Sequence, residues 1–229
     1  MHTKQDLNLI YNLYTAVAIA MNYFDTHATN GDAPYHNKYH TECMIAHAYK
    51  ASIFEQLSIA DTANLLMACA FHDFNHYQGK HPDSENVLEA ITQFDKFFKH
   101  VLLKYPKNIR ANISPVIVTD IIKATEYPYT YKATEIKQLI IRDCDLLQFT
   151  GFDPIGHCIF GLYKETLNGE NIMPFESFYD KYAEFVNNIS FKTLYGKSFD
   201  EDRMAWCLKL RDLRLDLTKL HNETQIIHG

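Results

Sequence analysis

The chain carries 12 histidines, and five of them (His36, His40, His47, His72 and His76) fall in one short stretch. Tyr35-His36-Asn37-Lys38-Tyr39-His40 sets two imidazoles at i, i+4 across a loop-to-helix junction. They share a face if the helix starts early enough. Phe71-His72-Asp73-Phe74-Asn75-His76 puts an adjacent His-Asp pair at the end of an apolar helix that begins near Leu65. In Ile140-Ile141-Arg142-Asp143-Cys144-Asp145-Leu146-Leu147, carboxylates interrupt a third apolar helix. A divalent ion needs neutral imidazole nitrogens and carboxylate oxygens that converge from several directions. Helices meeting at an angle supply them from separate segments. A buried acid is costly without a partner, and a metal ion is a good one. Ligands are therefore expected at the His-Asp pair and at one aspartate of the third segment. Asp143 and Asp145 point about 200° apart on a helix, so both are not expected to reach one ion.

The set His40, His72-Asp73 and a later Asp resembles the HD superfamily of metal-dependent phosphohydrolases. The Tyr-His-Asn-x-x-His and His-Asp-x-x-His texts also resemble the catalytic domain of the 3′,5′-cyclic nucleotide phosphodiesterases, and Lys123-Ala124-Thr125-Glu126 is similar to their Ala-Thr-Asp segment. The likeness spans about residues 35–150, while Gly79-Lys80-His81-Pro82-Asp83-Ser84-Glu85-Asn86 looks instead like bacterial HD proteins. The resemblance implies that His40, His72, Asp73 and Asp145 hold one metal, with Asp145 chosen because Cys144-Asp145-Leu146 matches the family text. It implies that Asp73 can bridge to a second ion, that His36 gives a proton to the leaving oxygen, and that His76 lies behind the first ligands or beside the second ion. It also implies that Glu126 orients a metal-bound water. Lys80 is a candidate cation for a phosphate. The cofactor implied is one or two divalent ions, with Mg, Mn, Zn, Fe and Ni not distinguished. The substrate implied is a small phosphate ester, a nucleotide or cyclic nucleotide above all. Some HD proteins are instead mixed di-iron oxygenases, for which His76 and His100 are the further ligands on offer. A non-catalytic nucleotide-binding protein is the third class.

Helices must position these residues. Apolar spacing predicts a helix from Leu7 to Phe24, a loop through Gly31 and Pro34, and a second helix from about Tyr39 to Phe54. Ser58, with Asp61 three residues on, caps a third that runs to about His72 or Phe74. After the loop from Asn75 to Asp83, helices are expected from Ser84 to about Leu103 and from Ser114-Pro115 to about Ala124, where Tyr127-Pro128 intervenes. Thr134 to Leu147 follows, Gly151 and Pro154 punctuate, and helices at about 154–167, 175–192 and 200–221 complete the chain. The aromatic stripes Phe94-Phe97-Phe98 and Phe175-Phe178-Tyr179-Tyr182 are expected in the core. Nothing alternates with period two. The expected fold is all-α, one domain over 1–229 of about eight to ten helices around a metal site.

Composition agrees. Only 8 Gly and 7 Pro in 229 residues imply few, long elements. At 47% hydrophobic and 22% charged, the chain is not a disordered one. A net charge of −6 argues against nucleic acid as a partner, because phosphate backbones want a basic surface. The longest clean apolar run, Ala16–Met21, is far short of the ~20 residues of a membrane span. Asp6 near the start, with no basic segment ahead of an apolar one, does not read as a leader. Five scattered cysteines with no CxxC fit reduced thiols in a cytoplasmic protein.

Overall fold

A computed structural model describes residues 4–150, 154–168 and 172–228. The described residues are helical and contain no strand: α1 (Lys4–His27), α2 (Lys38–Phe54), α3 (Ile59–Phe71), α4 (Asp83–His100), α5 (Lys107–Arg110), α6 (Pro115–Lys123), α7 (Ile136–Leu147), α8 (Leu162–Thr166), α9 (Phe175–Asn188), α10 (Leu194–Lys197) and α11 (Asp200–His228). A π-helical stretch, Pro154–Gly161, runs directly into α8. The all-α expectation holds.

Helix α3 is the hub. Every residue from Thr62 to Phe71 is buried, and the helix packs on α1, α2, α4, α6 and α7. A helix apolar all round can only be stable inside others, which is why Leu65–Phe71 reads as a continuous run. Its aromatic end enters a cluster in which Phe71 stacks on Phe74 and meets Phe94 and Phe97. The two aromatic stripes are in this core or packed against it, with Phe178 and Tyr182 also facing a cavity.

Several boundaries moved for local reasons. Helix α7 starts at Ile136, not Thr134, because the Gln138 side chain accepts from the N–H groups of Thr134 and Glu135. Helix α9 ends at Asn188 rather than 192, and the Lys192 and Thr193 N–H groups go to Asp143. Helix α4 stops at His100, after which Leu102–Lys104 continues as a 3₁₀ turn. Ser114 precedes α6 but makes no side-chain cap, unlike Ser58, whose hydroxyl accepts from Asp61 N–H. The short helices α5 and α10 were not foreseen. The breaker at Gly151 lies outside the described residues.

Candidate metal centre

Asn37 caps α2, its side-chain oxygen accepting from His40 N–H at 3.1 Å. The helix therefore begins at Lys38, leaving His36 in the preceding loop and placing His40 in the first turn. The two imidazoles do not share a helical face, and each has its own set of partners. His72 is the C-cap of α3 and Asp73 follows it in the turn. Asp145 comes from α7, which packs on both α2 and α3.

The three segments converge on one point. His40 Nε2 lies 3.0 Å from His72 Nε2, 2.9 Å from an Asp73 oxygen and 3.4 Å from an Asp145 oxygen, and the same Asp73 oxygen is 2.9 Å from His72 Nε2. His72 Nδ1 faces the Cys69 carbonyl at 2.8 Å, which as donor leaves Nε2 to face the cluster. His40 Nδ1 is buried with no hydrogen-bond partner among the described residues. Burial opposes charge on His72, but Asp73, together with Asp145 and the Cys69 carbonyl, outweighs it and raises the imidazole to about 9. Burial likewise opposes charge on Asp73, and the imidazoles of His72 and His36 still hold its carboxyl well below the ordinary range. This cluster demands positive charge. Two imidazoles and two carboxylates in contact, drawn from different segments, form a donor set a divalent cation fits better than a proton. His40, His72 and Asp145 are positioned to bind a metal ion, and Asp73 touches both imidazoles.

A second group lies alongside. Glu165, on α8, is buried and accepts from the backbone N–H groups of Tyr35 (2.8 Å) and His36 (2.9 Å), and its other oxygen meets His36 Nδ1 at 2.5 Å. Burial opposes the His36 charge, but Asp73 and Glu165 more than offset it and raise the imidazole to about 8. The same pairing lowers the Glu165 carboxyl against its burial. The His76 ring stacks on His36 with centroids 3.6 Å apart and planes at 21°. Burial, and then the charge on His36, push His76 down to about 3. Its Nδ1 accepts from Gln78 N–H and its Nε2 lies 2.9 Å from the Asn86 amide. His36, His76 and Glu165 also have ligand atoms close enough to surround an ion. Stacked rings aim their nitrogens poorly at a common point, however, and each polar atom but one is already engaged. The arrangement is an imidazolium–carboxylate pair over a neutral imidazole, with His36 Nε2 left over.

Glycines let Glu165 come this close. A Cβ at Gly161 would stand 2.6 Å from the Pro34 carbonyl oxygen, so only glycine lets the helix approach the Pro34–His36 loop. Gly79, at φ +79°, takes a conformation that favours glycine, and a Cβ there would meet the Glu165 carbonyl at 3.1 Å.

Both groups open into a cavity of about 450 Å³. Its polar end is made by His36, His72, Asp73, His76 and Asp145, with Asp83 and Asn86 beside them. Much of the remaining lining is apolar and aromatic, with Leu146, Phe149, Leu162, Met173, Phe178 and Phe185. The 124–131 segment forms one side, held by Arg142 through the carbonyls of Ala124 and Tyr131, and by an Asp83 oxygen accepting from Tyr127 N–H.

Some expected residues fall elsewhere. Glu126 is half-buried between Thr125 and Tyr127, which line the cavity, but does not line it itself. Lys80 is exposed on its loop and also outside the lining, where the cation present is Lys181 of α9. His100 is exposed at a separate shallow pocket with Val101, Lys104 and Tyr105, remote from the ligand set a di-iron centre would extend. His47 is half-buried and packs against Tyr195, outside the cavity lining, as a residue with no site role would. Asp143, on the opposite side of α7 from Asp145, is buried and accepts from Lys192 N–H, Thr193 N–H and the Thr193 hydroxyl. Burial pushes its carboxyl up against these bonds.

Glu165 was missed. Tyr163-Lys164-Glu165-Thr166 reads as an ordinary solvated turn of helix, and its partners lie 129 and 130 residues away. One signal was available: Gly161 sits at i−4 on the same helix face, inside an apolar run with no turn, where a glycine marks close backbone approach.

Comparison with known family models, curated proteins and solved structures returns no match.

Proposed function

We propose that the chain is a metal-dependent phosphohydrolase of the HD superfamily, acting on a small phosphate ester, with a nucleotide or cyclic nucleotide the leading substrate class. The observation that carries this is the convergence of His40, His72, Asp73 and Asp145 beside an imidazolium–carboxylate pair in one cavity. Those four residues would hold a divalent ion, which would supply positive charge for the phosphoryl oxygens and lower the pKa of water.

The rest of the chemistry belongs to the chain's own side chains. Three carboxylates, Asp73, Asp83 and Asp145, line the cavity, against the single lysine Lys181. With His36 as imidazolium, a divalent ion on the aspartates would leave this end of the cavity positive, which favours an anionic phosphate. With a pKa of about 8, His36 is mostly imidazolium at neutral pH. Its Nδ1 is fixed by Glu165, so the proton available for transfer is on Nε2, as in general-acid departure of an alkoxide. His76, kept neutral, excludes a competing positive charge from the face of that ring. The aromatic wall suits the organic part of the ester, and 450 Å³ suits one small ligand.

Elemental analysis of the natively purified protein, followed by a screen of nucleotides, cyclic nucleotides and p-nitrophenyl esters with that metal restored, tests the proposal. The expected result is a bound divalent metal and hydrolysis of at least one ester. Metal-free protein that gains no activity with any added divalent ion overturns it.

A further inference from the structure

Asn30 belongs to none of the histidine motifs, yet it is 1% exposed and lies between two of them. Its Nδ2 donates to the His36 carbonyl at 2.6 Å and to the Asp73 carbonyl at 2.8 Å, while its Oδ1 accepts from Asn75 N–H at 2.9 Å. Asn75 answers across the same gap. Its Oδ1 accepts from the Thr29 N–H (2.8 Å) and hydroxyl (3.2 Å), its Nδ2 donates to Glu89 of α4, and its backbone sits at φ 62°, in the left-handed region. The two asparagines form a bracket between the 28–36 loop and the turn that ends α3.

Two carbonyls and one N–H converge on a single buried side chain. Only an amide of this length offers two donors and an acceptor in one plane. The carbonyls it joins belong to the proton-donor candidate and to the carboxylate that touches both metal-centre imidazoles. We propose that Asn30 is a positioning residue whose amide sets the placement of His36 relative to Asp73, so that metal binding and proton delivery depend on one side chain. This rests on the phosphohydrolase reading above.

Elsewhere the chain provides its own control. Asn64 is also buried; its Nδ2 donates to the carbonyls of Ala60 (2.7 Å) and Asn112 (3.1 Å), and its Oδ1 accepts from Ser114 N–H (2.7 Å). It does the same structural job where no residue of the cavity is involved. Asn30→Asp and Asn64→Asp both turn the amide's two N–H donors into acceptors facing carbonyls, so both should lower the thermal midpoint. Only Asn30→Asp should weaken Mn²⁺ binding, measured by calorimetry on chelator-stripped full-length protein, by about 10–100-fold, the range for groups that orient metal ligands. It should also lose more turnover on an alkyl phosphate ester than on the p-nitrophenyl ester, at similar KM. Asn30→Ser, which keeps one donor, is read the same way should the aspartate variant not fold, and should lose less. Wild-type Mn²⁺ affinity and leaving-group dependence in a folded position-30 variant would overturn the role of Asn30 alone, as would equal losses in Asn64→Asp. A wild-type protein that binds no Mn²⁺ would instead overturn the metal reading beneath it.

Discussion

His36 and Glu165 carry opposite charges 2.5 Å apart within the fold, and their protonation has consequences that can be measured. The His36 pKa is raised to about 8, so its contribution to stability is fully present below its ordinary 6.5 and is lost as pH rises through about 8. Glu165 is shifted the other way. Its contribution is present above its ordinary 4.5 and is lost as the pH falls through its lowered folded value. If His36 is the acid, kcat should fall on the alkaline side as its imidazolium is lost. Glu165→Gln should move the midpoint of that fall downward, and a pH profile unmoved by this substitution would break the link between the two residues. His36→Ala should keep the metal and lose about 10²–10⁴-fold on alkyl esters, but much less on p-nitrophenyl esters, whose leaving group departs without a proton. Equal losses on both would exclude the acid role. His36 is legible in the sequence because it sits in a local motif with His40. Glu165 and Asn30 are not, because their work is done through contacts that only the folded chain makes.

Helix α7 decides between two neighbouring acids, because a helix sends residues two apart to nearly opposite sides. Asp145 turns to His40, and Asp143 turns to the backbone of Lys192 and Thr193. Asp145→Asn should empty the site at micromolar metal, whereas Asp143→Asn should leave it fillable and lower stability, since two N–H groups and a hydroxyl would meet a weaker acceptor. A metal titration with the reverse pattern would exchange their roles. Gly161→Ala should cost about 1–3 kcal/mol, as overpacking commonly does, and should lower the alkaline limb of the rate as α8 withdraws Glu165. Urea unfolding together with the pH profile checks both effects. The sequence locates α1, α2, α4, α6, α7, α9 and α11 because each buries a stripe at helical spacing, and α3 because Ser58 caps a continuous apolar run. It could not locate α5 or α10, which are four residues long, or the π-helical register before α8, because these follow from tertiary contacts.

Viewed as a whole molecule, the chain pins its site from both ends: the His-rich helices supply the cluster, and the part after residue 150 supplies Glu165 and much of the aromatic wall. No helix among the described residues is long and apolar enough to cross a membrane. Without a cation, the cluster holds its aspartates against two imidazoles, one of which, His72, is raised to about 9, so metal must displace a proton there. Metal affinity should therefore weaken as the pH falls below about 9. Saturating metal should raise the thermal midpoint, with a stabilisation of about 2.7 kcal/mol at about 100 times Kd.

The central claim is that His40, His72, Asp73 and Asp145 make one divalent-metal site on which ester hydrolysis depends. The most direct measurement is product release from an ester found in the screen, by chelator-stripped protein before and after Mn²⁺ is restored, in wild type and in His72→Ala. The expected result is no release from stripped wild type, recovery with Mn²⁺, and no recovery in His72→Ala, which should also fail to take up the ion. Hydrolysis by the stripped protein, or full metal uptake and recovery in His72→Ala, would contradict it.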